Sequence, residues 1–221
     1  MAAQGRTYLQ IVNEVLPRLR EDTVAAVTTT AYSTLIGKIV NQVAAEMQDA
    51  WHWYAMRDTF SVTTVIGTSQ YGLTGSNPGA VVLDGWNVTT QGQMKQGTNA
   101  SFNKRFFGQT TVDSNSPTEY IQNGVTADYD AKIDVWPNPS AVQTLKFTVY
   151  VPQDDLSAGT DVSLLPQSVL IEGTMARALR ERGDDGGTAA DVQDVIYRDM
   201  LASAIAREAA VDPTEVDWIP V

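Results

Sequence analysis

A single histidine, His52, and the absence of cysteine set the limits on side-chain chemistry in this chain. Without cysteine there is no disulfide, no thiol nucleophile and no cysteine-ligated zinc or iron–sulfur centre. With one histidine, a two-histidine metal site is impossible within one chain, and a serine triad has to run through His52. His52 sits between Trp51 and Trp53, and no G-x-S-x-G elbow accompanies it. It reads as a histidine packed or hydrogen bonded at an aromatic helix end. The acidic pairs Asp154-Asp155 and Asp184-Asp185, and the triplet Asp128-Tyr129-Asp130, lack calcium-loop spacing and read as solvated turns. The glycines show neither Rossmann nor P-loop order, and Gly183–Gly187 reads as a linker. Carboxylates remain. A glycan hydrolase needs two of them at the edge of one pocket, and Asp84 and Glu119 are candidates by abundance alone. The residues therefore assign no catalytic set, no metal and no cofactor.

Two other groups suit binding rather than catalysis. Phe102, Lys104, Arg105, Phe106 and Phe107 interleave aromatic rings with positive charge. Such a patch can stack on nucleic acid, contact a protein, or anchor a loop. The last residues, Glu215-Val216-Asp217-Trp218-Ile219-Pro220-Val221, place an aromatic anchor on an acidic tail. That tail either grips a partner or folds back on its own helices.

The elements that position these groups follow from periodicity. Tyr8, Val12, Val15 and Leu19 mark one face of a helix over 7–21, which Pro17 is expected to kink. Helical spacing resumes over 31–56, from Tyr32 to Tyr54, with Thr30 or Ser33 as cap. After Phe60 the period changes to two. Short strand-like runs follow at 80–83, 86–90, 118–122, 132–136 and 144–151, separated by turns at Gly75–Gly79, Asp84-Gly85, Asn123-Gly124 and Pro137-Asn138-Pro139. The last two runs form the firmest expected hairpin, and 91–116 reads as a long polar loop. Trp51, Trp53, Tyr54 and Phe60 are expected at a seam between helices and sheet. Helical period returns at Pro166, and Gly183 suits a left-handed cap. Thr188 opens a final helix whose apolar face is Val192, Val195, Ile196 and Ile205, and Pro213 ends it.

The expected fold class is α+β: an antiparallel helical bundle from both chain ends with an inserted small antiparallel β-sheet domain. The divisions are 1–57 for the first helical pair, 58–165 for the β-rich insertion, 166–212 for the second helical pair and 213–221 for an extended tail. With 221 residues, 43% hydrophobic and 19% charged, the chain can bury its own core. No apolar run approaches the roughly 20 residues of a membrane span, so no membrane is expected as partner. No secretory signal pattern opens the chain. Net charge is −11, and residues 184–221 hold nine acidic against two basic side chains. That balance opposes tight nucleic-acid binding through the average field. It suits solubility, or a surface that DNA passes without being gripped.

The run Thr7-Tyr8-Leu9-Gln10-Ile11-Val12-Asn13-Glu14-Val15-Leu16, continuing to Leu19-Arg20-Glu21, resembles the head–tail adaptor (connector) proteins of tailed bacteriophages, the tail tubular protein A-like group. Asp49-Ala50-Trp51-His52-Trp53 running into the strand at Phe60 is similar to that family's second helix. Val135-Trp136-Pro137-Asn138-Pro139 followed by 145–152, and 171–183 leading into a final helix, resemble its later elements. The likeness covers most of the chain and is weakest across 67–130. Pro17 departs from the family's uninterrupted first helix. The resemblance implies a structural virion protein at the head–tail junction, assembled in the host bacterial cytoplasm. It implies a ring, usually of twelve copies, that docks under the portal protein. The ring extends the DNA channel, with genomic DNA passing unbound, and meets the next tail protein, a nozzle or tail terminator. On that resemblance Asp217, Trp218 and Ile219 are expected to bind the portal, and Phe102, Lys104, Arg105 and Phe106 to face the tail. The alternatives are a tail-associated hydrolase using Asp84 and Glu119, or a decoration or carbohydrate-binding protein.

Overall fold

The computed structural model describes residues 5–108, 113–183 and 187–211. The chain divides into two compact units, one from residues 1–55 and 153–221 and the other from 56–152.

The first unit opens with α1 (Tyr8–Arg18). Thr7 caps it: the hydroxyl accepts from the Gln10 amide at 3.3 Å, and the Gln10 side chain accepts from the Thr7 amide at 2.9 Å. This reciprocal box satisfies two orphan donors. Pro17 lies in the last turn, so its missing N–H ends the helix within two residues. Asn13 then pins the connector, donating to the Val24 carbonyl and accepting from the Val24 amide, both at 2.9 Å. α2 (Ala31–Ala50) starts on a Thr30–Ser33 box and stops at Trp51, which is extended. It is shorter than the 31–56 expectation because Trp53 folds back. The indole donates to the Met47 carbonyl at 2.7 Å, satisfying a C-terminal acceptor.

α4 (Gln167–Arg182) follows Pro166 and ends on Gly183 at φ +66°, the left-handed cap expected of that glycine. It packs against α1, α2 and α5 (Thr188–Val211). At its centre Gly173 lies where a Cβ would come within 2.7 Å of both Val43 on α2 and Tyr197 on α5. Only a residue without a side chain admits both neighbours there. Ile11, Val12, Val15, Ile36, Val40, Val43, Met47 and Leu170 are fully buried in this unit. Residues 153–166 join it through Asn41, which exchanges two hydrogen bonds with Leu156 at 3.0 and 3.1 Å, and through the Thr7–Val162 bridge.

The second unit holds β1 (Arg57–Thr63), β2 (Gln70–Gly72), β3 (Val81–Asn87), β4 (Gly92–Gln96), α3 (Asn99–Phe107), β5 (Ser114–Asn115), β6 (Glu119–Val125), β7 (Ala131–Trp136), β8 (Asn138–Pro139) and β9 (Thr144–Tyr150). Seven strands form one sheet in the order β1-β9-β3-β4-β6-β7-β2. Its pairs are antiparallel except β4–β6, which is parallel. β5 and β8 form a separate parallel pair. Val62, Met94, Tyr120, Ile133, Val135, Leu145, Phe147 and Val149 make the core, with Phe60 packed on it.

The expected fold class is overturned. The molecule is not a helical bundle carrying a small antiparallel sheet: the sheet is large, mixed and nearly closed into a barrel, with helices at 41% and strands at 24% of the described residues. The difference has three physical sources. First, Asp84-Gly85 is not a turn but the middle of β3. A Cβ on Gly85 would lie 2.8 Å from Tyr120 and 2.9 Å from Phe147, so the glycine admits that edge-on aromatic pair (5.4 Å, 72°). Second, β7 and β9 do not form the expected hairpin. β7 pairs with β6 and β2, while β9 runs between β1 and β3. Leu145, Phe147 and Val149 alternate inward along β9, and a strand with its other neighbours on both sides gains more pairing than one in a two-stranded hairpin. Third, 91–116 is not one loop. It contains β4 and then α3, which a Thr98–Ser101 capping box starts.

Candidate interaction surfaces

His52 is exposed just beyond α2, and Asp154, Asp155 and Asp128 are exposed. Asp130 accepts from the Gly75 amide at 3.0 Å. Asp184 and Asp185 lie outside the described residues. Among the described residues no group of three or more His, Asp and Glu side chains is placed to hold a metal ion. No described helix is long and apolar enough to cross a membrane.

Asp84 and Glu119 do not share a recess. Asp84 lines a shallow cavity of about 470 Å³ with Gln93, Lys95, Gln96 and Tyr120. It accepts from its neighbour Gly85 at 2.8 Å and from the Gln93 amide at 3.1 Å. Burial, and secondarily the Asp84 charge, push the Tyr120 hydroxyl up to about 12, so it stays protonated at neutral pH. Glu119 does not line that cavity; it forms an ion pair with Arg105 at 2.7 Å.

Arg105 belongs to the aromatic patch, and α3 uses most of that patch internally. Phe102 is buried with Ile121 and Trp136, and Phe106 packs on them. The Phe106 and Trp136 rings meet edge to face at 5.2 Å. The Arg105 guanidinium lies 5.6 Å from the Trp136 ring centroid, a cation–π geometry. Lys104 is exposed. Phe107, 83% exposed, is the ring this helix presents outward.

A second surface was not legible from the sequence. Three loops of the sheet unit meet at one pole: 64–69, 88–91 and 137–143. The Thr64 hydroxyl donates to the Ala141 carbonyl at 3.1 Å and accepts from the Gln143 amide at 2.8 Å. The Thr64 amide donates to the Gln143 carbonyl at 2.8 Å, and Gly67 donates to the Pro139 carbonyl at 2.9 Å. The buried Asn87 side chain donates to the Gln143 side-chain oxygen at 2.7 Å, which also accepts from Ser116 at 2.9 Å. Val88 and Thr89 close the cluster against Thr144. On this locked base stand Val65 (59% exposed), Ile66 (63%), Val88 (40%) and Val142 (64%). None of the three loops contains an ionisable side chain, although the chain carries −11 overall.

A third surface is on α5. Its inward face is Ala190, Tyr197 and Ala204, all buried. Val192, Val195 and Ile196, expected to be its core face, are 59%, 59% and 42% exposed. Ile205, the fourth residue of the expected face, is half-buried; the packed side is turned from the expected one because small residues let α5 approach α4 closely. Asp217, Trp218 and Ile219 lie outside the described residues.

No protein-family model and no curated protein matches this chain.

Proposed function

We propose that this chain is a structural virion protein, a head-to-tail adaptor that forms a ring beneath the portal, extends the DNA channel and joins the tail. The observation that carries this reading is the exposed apolar cluster at one pole of the sheet unit. Val65, Ile66, Val88 and Val142 stand on loops free of ionisable groups, in a strongly acidic chain. A patch of that kind is suited to a protein partner. It offers nothing to phosphate, and the buried Thr64–Asn87–Gln143 network holds it in one shape before the partner arrives, which lowers the ordering cost of docking. In this reading the pole, together with Lys104 and Phe107 of α3, meets the next tail protein. The C-terminal Asp217, Trp218 and Ile219 meet the portal, and the acidic surplus lines a path along which DNA slides.

Electron microscopy of the protein mixed with the portal from the same genome tests this directly. The expected result is a ring stacked coaxially on the portal. Intact portal beside unassociated chains defeats the adaptor reading. Ile66→Asp combined with Val142→Asp is expected to leave the portal-bound ring intact and abolish capture of the next tail component. Unchanged capture removes the pole from the tail-side interface.

A further inference from the structure

The chain has a single Asn-Gly step, Asn123-Gly124, and it falls where β6 departs from regular pairing with β7. The register runs from Gln122 opposite Ile133 to Val125 opposite Ala131. Asn123 and Gly124 therefore share the place opposite Lys132, and neither has a ladder partner of its own, which is a bulge. Gly124 takes φ +78°, with open space where a Cβ would lie. That conformation favours glycine, and no side chain screens its backbone nitrogen. Both residues are exposed.

The Asn123 side chain is held at one point. Its Nδ2 donates to Asp134 Oδ2 at 2.6 Å. Asp134 is only 6% exposed, and its other oxygen, Oδ1, has no hydrogen-bond partner. A buried carboxylate left half-satisfied is costly. Among the described residues its one side-chain hydrogen bond is the bond to Asn123.

We propose that Asn123-Gly124 is a site of spontaneous backbone modification and that Asp134 is the lock that slows it. In the reaction the Gly124 nitrogen gives up its proton to solvent base and bonds to Asn123 Cγ. The Cγ–Nδ2 bond breaks, and Nδ2 leaves as ammonia, carrying a proton regained from solvent. Water then opens the cyclic imide at either carbonyl, leaving aspartate or its β-linked isomer. Water is the only co-reactant. Attack requires the carboxamide to swing toward the Gly124 nitrogen, and the bond to Asp134 opposes that swing. After conversion a carboxylate stands where the donor was, against the buried Asp134 carboxylate. Two carboxylates so close repel. The lock cannot re-form, and the β6–β7 pair loosens at its turn end.

The test incubates the folded parent and Asp134→Ala in mildly alkaline buffer. Samples taken over time are digested, and mass spectrometry reads the deamidated and β-linked forms of the peptide that contains Asn123. Conversion at Asn123 is expected about tenfold faster in Asp134→Ala than in the parent, and there it runs ahead of every other asparagine. Another asparagine converting first in that variant overturns the site. Equal rates in the two folded chains overturn the lock. A second arm does not depend on Asp134→Ala folding. Asn123→Asp installs the product charge directly, and its melting temperature is expected below that of the parent. Adding Asp134→Asn is expected to restore it. No loss in the single variant, or no recovery in the pair, overturns the contact on which the lock depends.

Discussion

Glu172 shows how one residue ties three helices together. Arg18 of α1 donates to both of its carboxylate oxygens at 2.8 Å, a bidentate geometry. Gln193 of α5 also donates to it. The Arg18 hydrogen bonds hold the carboxyl below the usual glutamate range, against an opposing push from burial. A carboxyl depressed in the folded state contributes stability above its unfolded value, and the contribution is lost as pH falls through the folded value. The melting temperature of Glu172→Gln is therefore expected below that of the parent at pH 7, and the gap is expected to close as pH drops below about 4. A gap that stays constant with pH means the carboxylate is not the source. At the pole, Gln143→Ala removes the acceptor shared by Asn87 and Ser116. The buried Asn87 amide keeps Ser116 and the Pro117 carbonyl as acceptors but loses its shortest bond, so the change is expected to cost about 0.5–1.5 kcal/mol, measured by urea unfolding. Neither role is visible in sequence, because a glutamate on a helix or a glutamine in a turn looks the same whether partnered or solvated. Asn13, Asn41 and Gln122 are similar. Each exchanges two hydrogen bonds with the backbone of another segment, and no local pattern marks them.

At the scale of elements, the helices were the legible part. Thr30, Pro166 and Gly183 mark boundaries that the structure keeps, because caps act within one turn. The strand runs at 118–122, 132–136 and 144–151 also match β6, β7 and β9 closely. Their partners were not legible. A strand's alternation fixes which residues face inward but not which neighbour lies beside it, and the parallel β4–β6 pair leaves no local trace. α3 escaped because its capping box, Thr98 and Ser101, sits in a polar stretch with only one fully buried ring, Phe102. The side of α5 was misread for a related reason. Hydrophobicity scales rank Val and Ile above Ala, yet the packed face is the one that permits closeness. Gly173 is the counterpart on α4. Gly173→Val is expected to force α2 or α5 outward and cost about 1–3 kcal/mol, seen as a lower urea midpoint. An unchanged midpoint means the helices have room to spare.

For the whole molecule, what remained outside the reach of sequence is the distribution of charge in space. The count of −11 is immediate; that three distant loops without an ionisable side chain fold together, with Asp113 beside them on the segment paired to β8, is not. The candidate site changes accordingly. Phe102, Arg105 and Phe106 turn inward to hold α3 on the sheet, whereas Val65, Ile66, Val88 and Val142, which no motif marks, are outward. Raising salt is expected to leave or strengthen docking at the apolar pole. Sedimentation at low and high salt, with and without the tail partner, checks this, and docking that weakens with salt means charge rather than the apolar cluster holds the partner.

The way the chain enters and leaves its sheet has a further result. β1 and β9, the first and last strands of the inserted unit, lie side by side, with Arg57 opposite Tyr150 and Val151 bonded to Met56 at 2.9 Å. The two cut points are thus neighbours, a gap that a few residues bridge. The insert behaves as a cassette: residues 57–150 can be exchanged for another β-domain, or for a short glycine-rich link, without stretching either flanking helix.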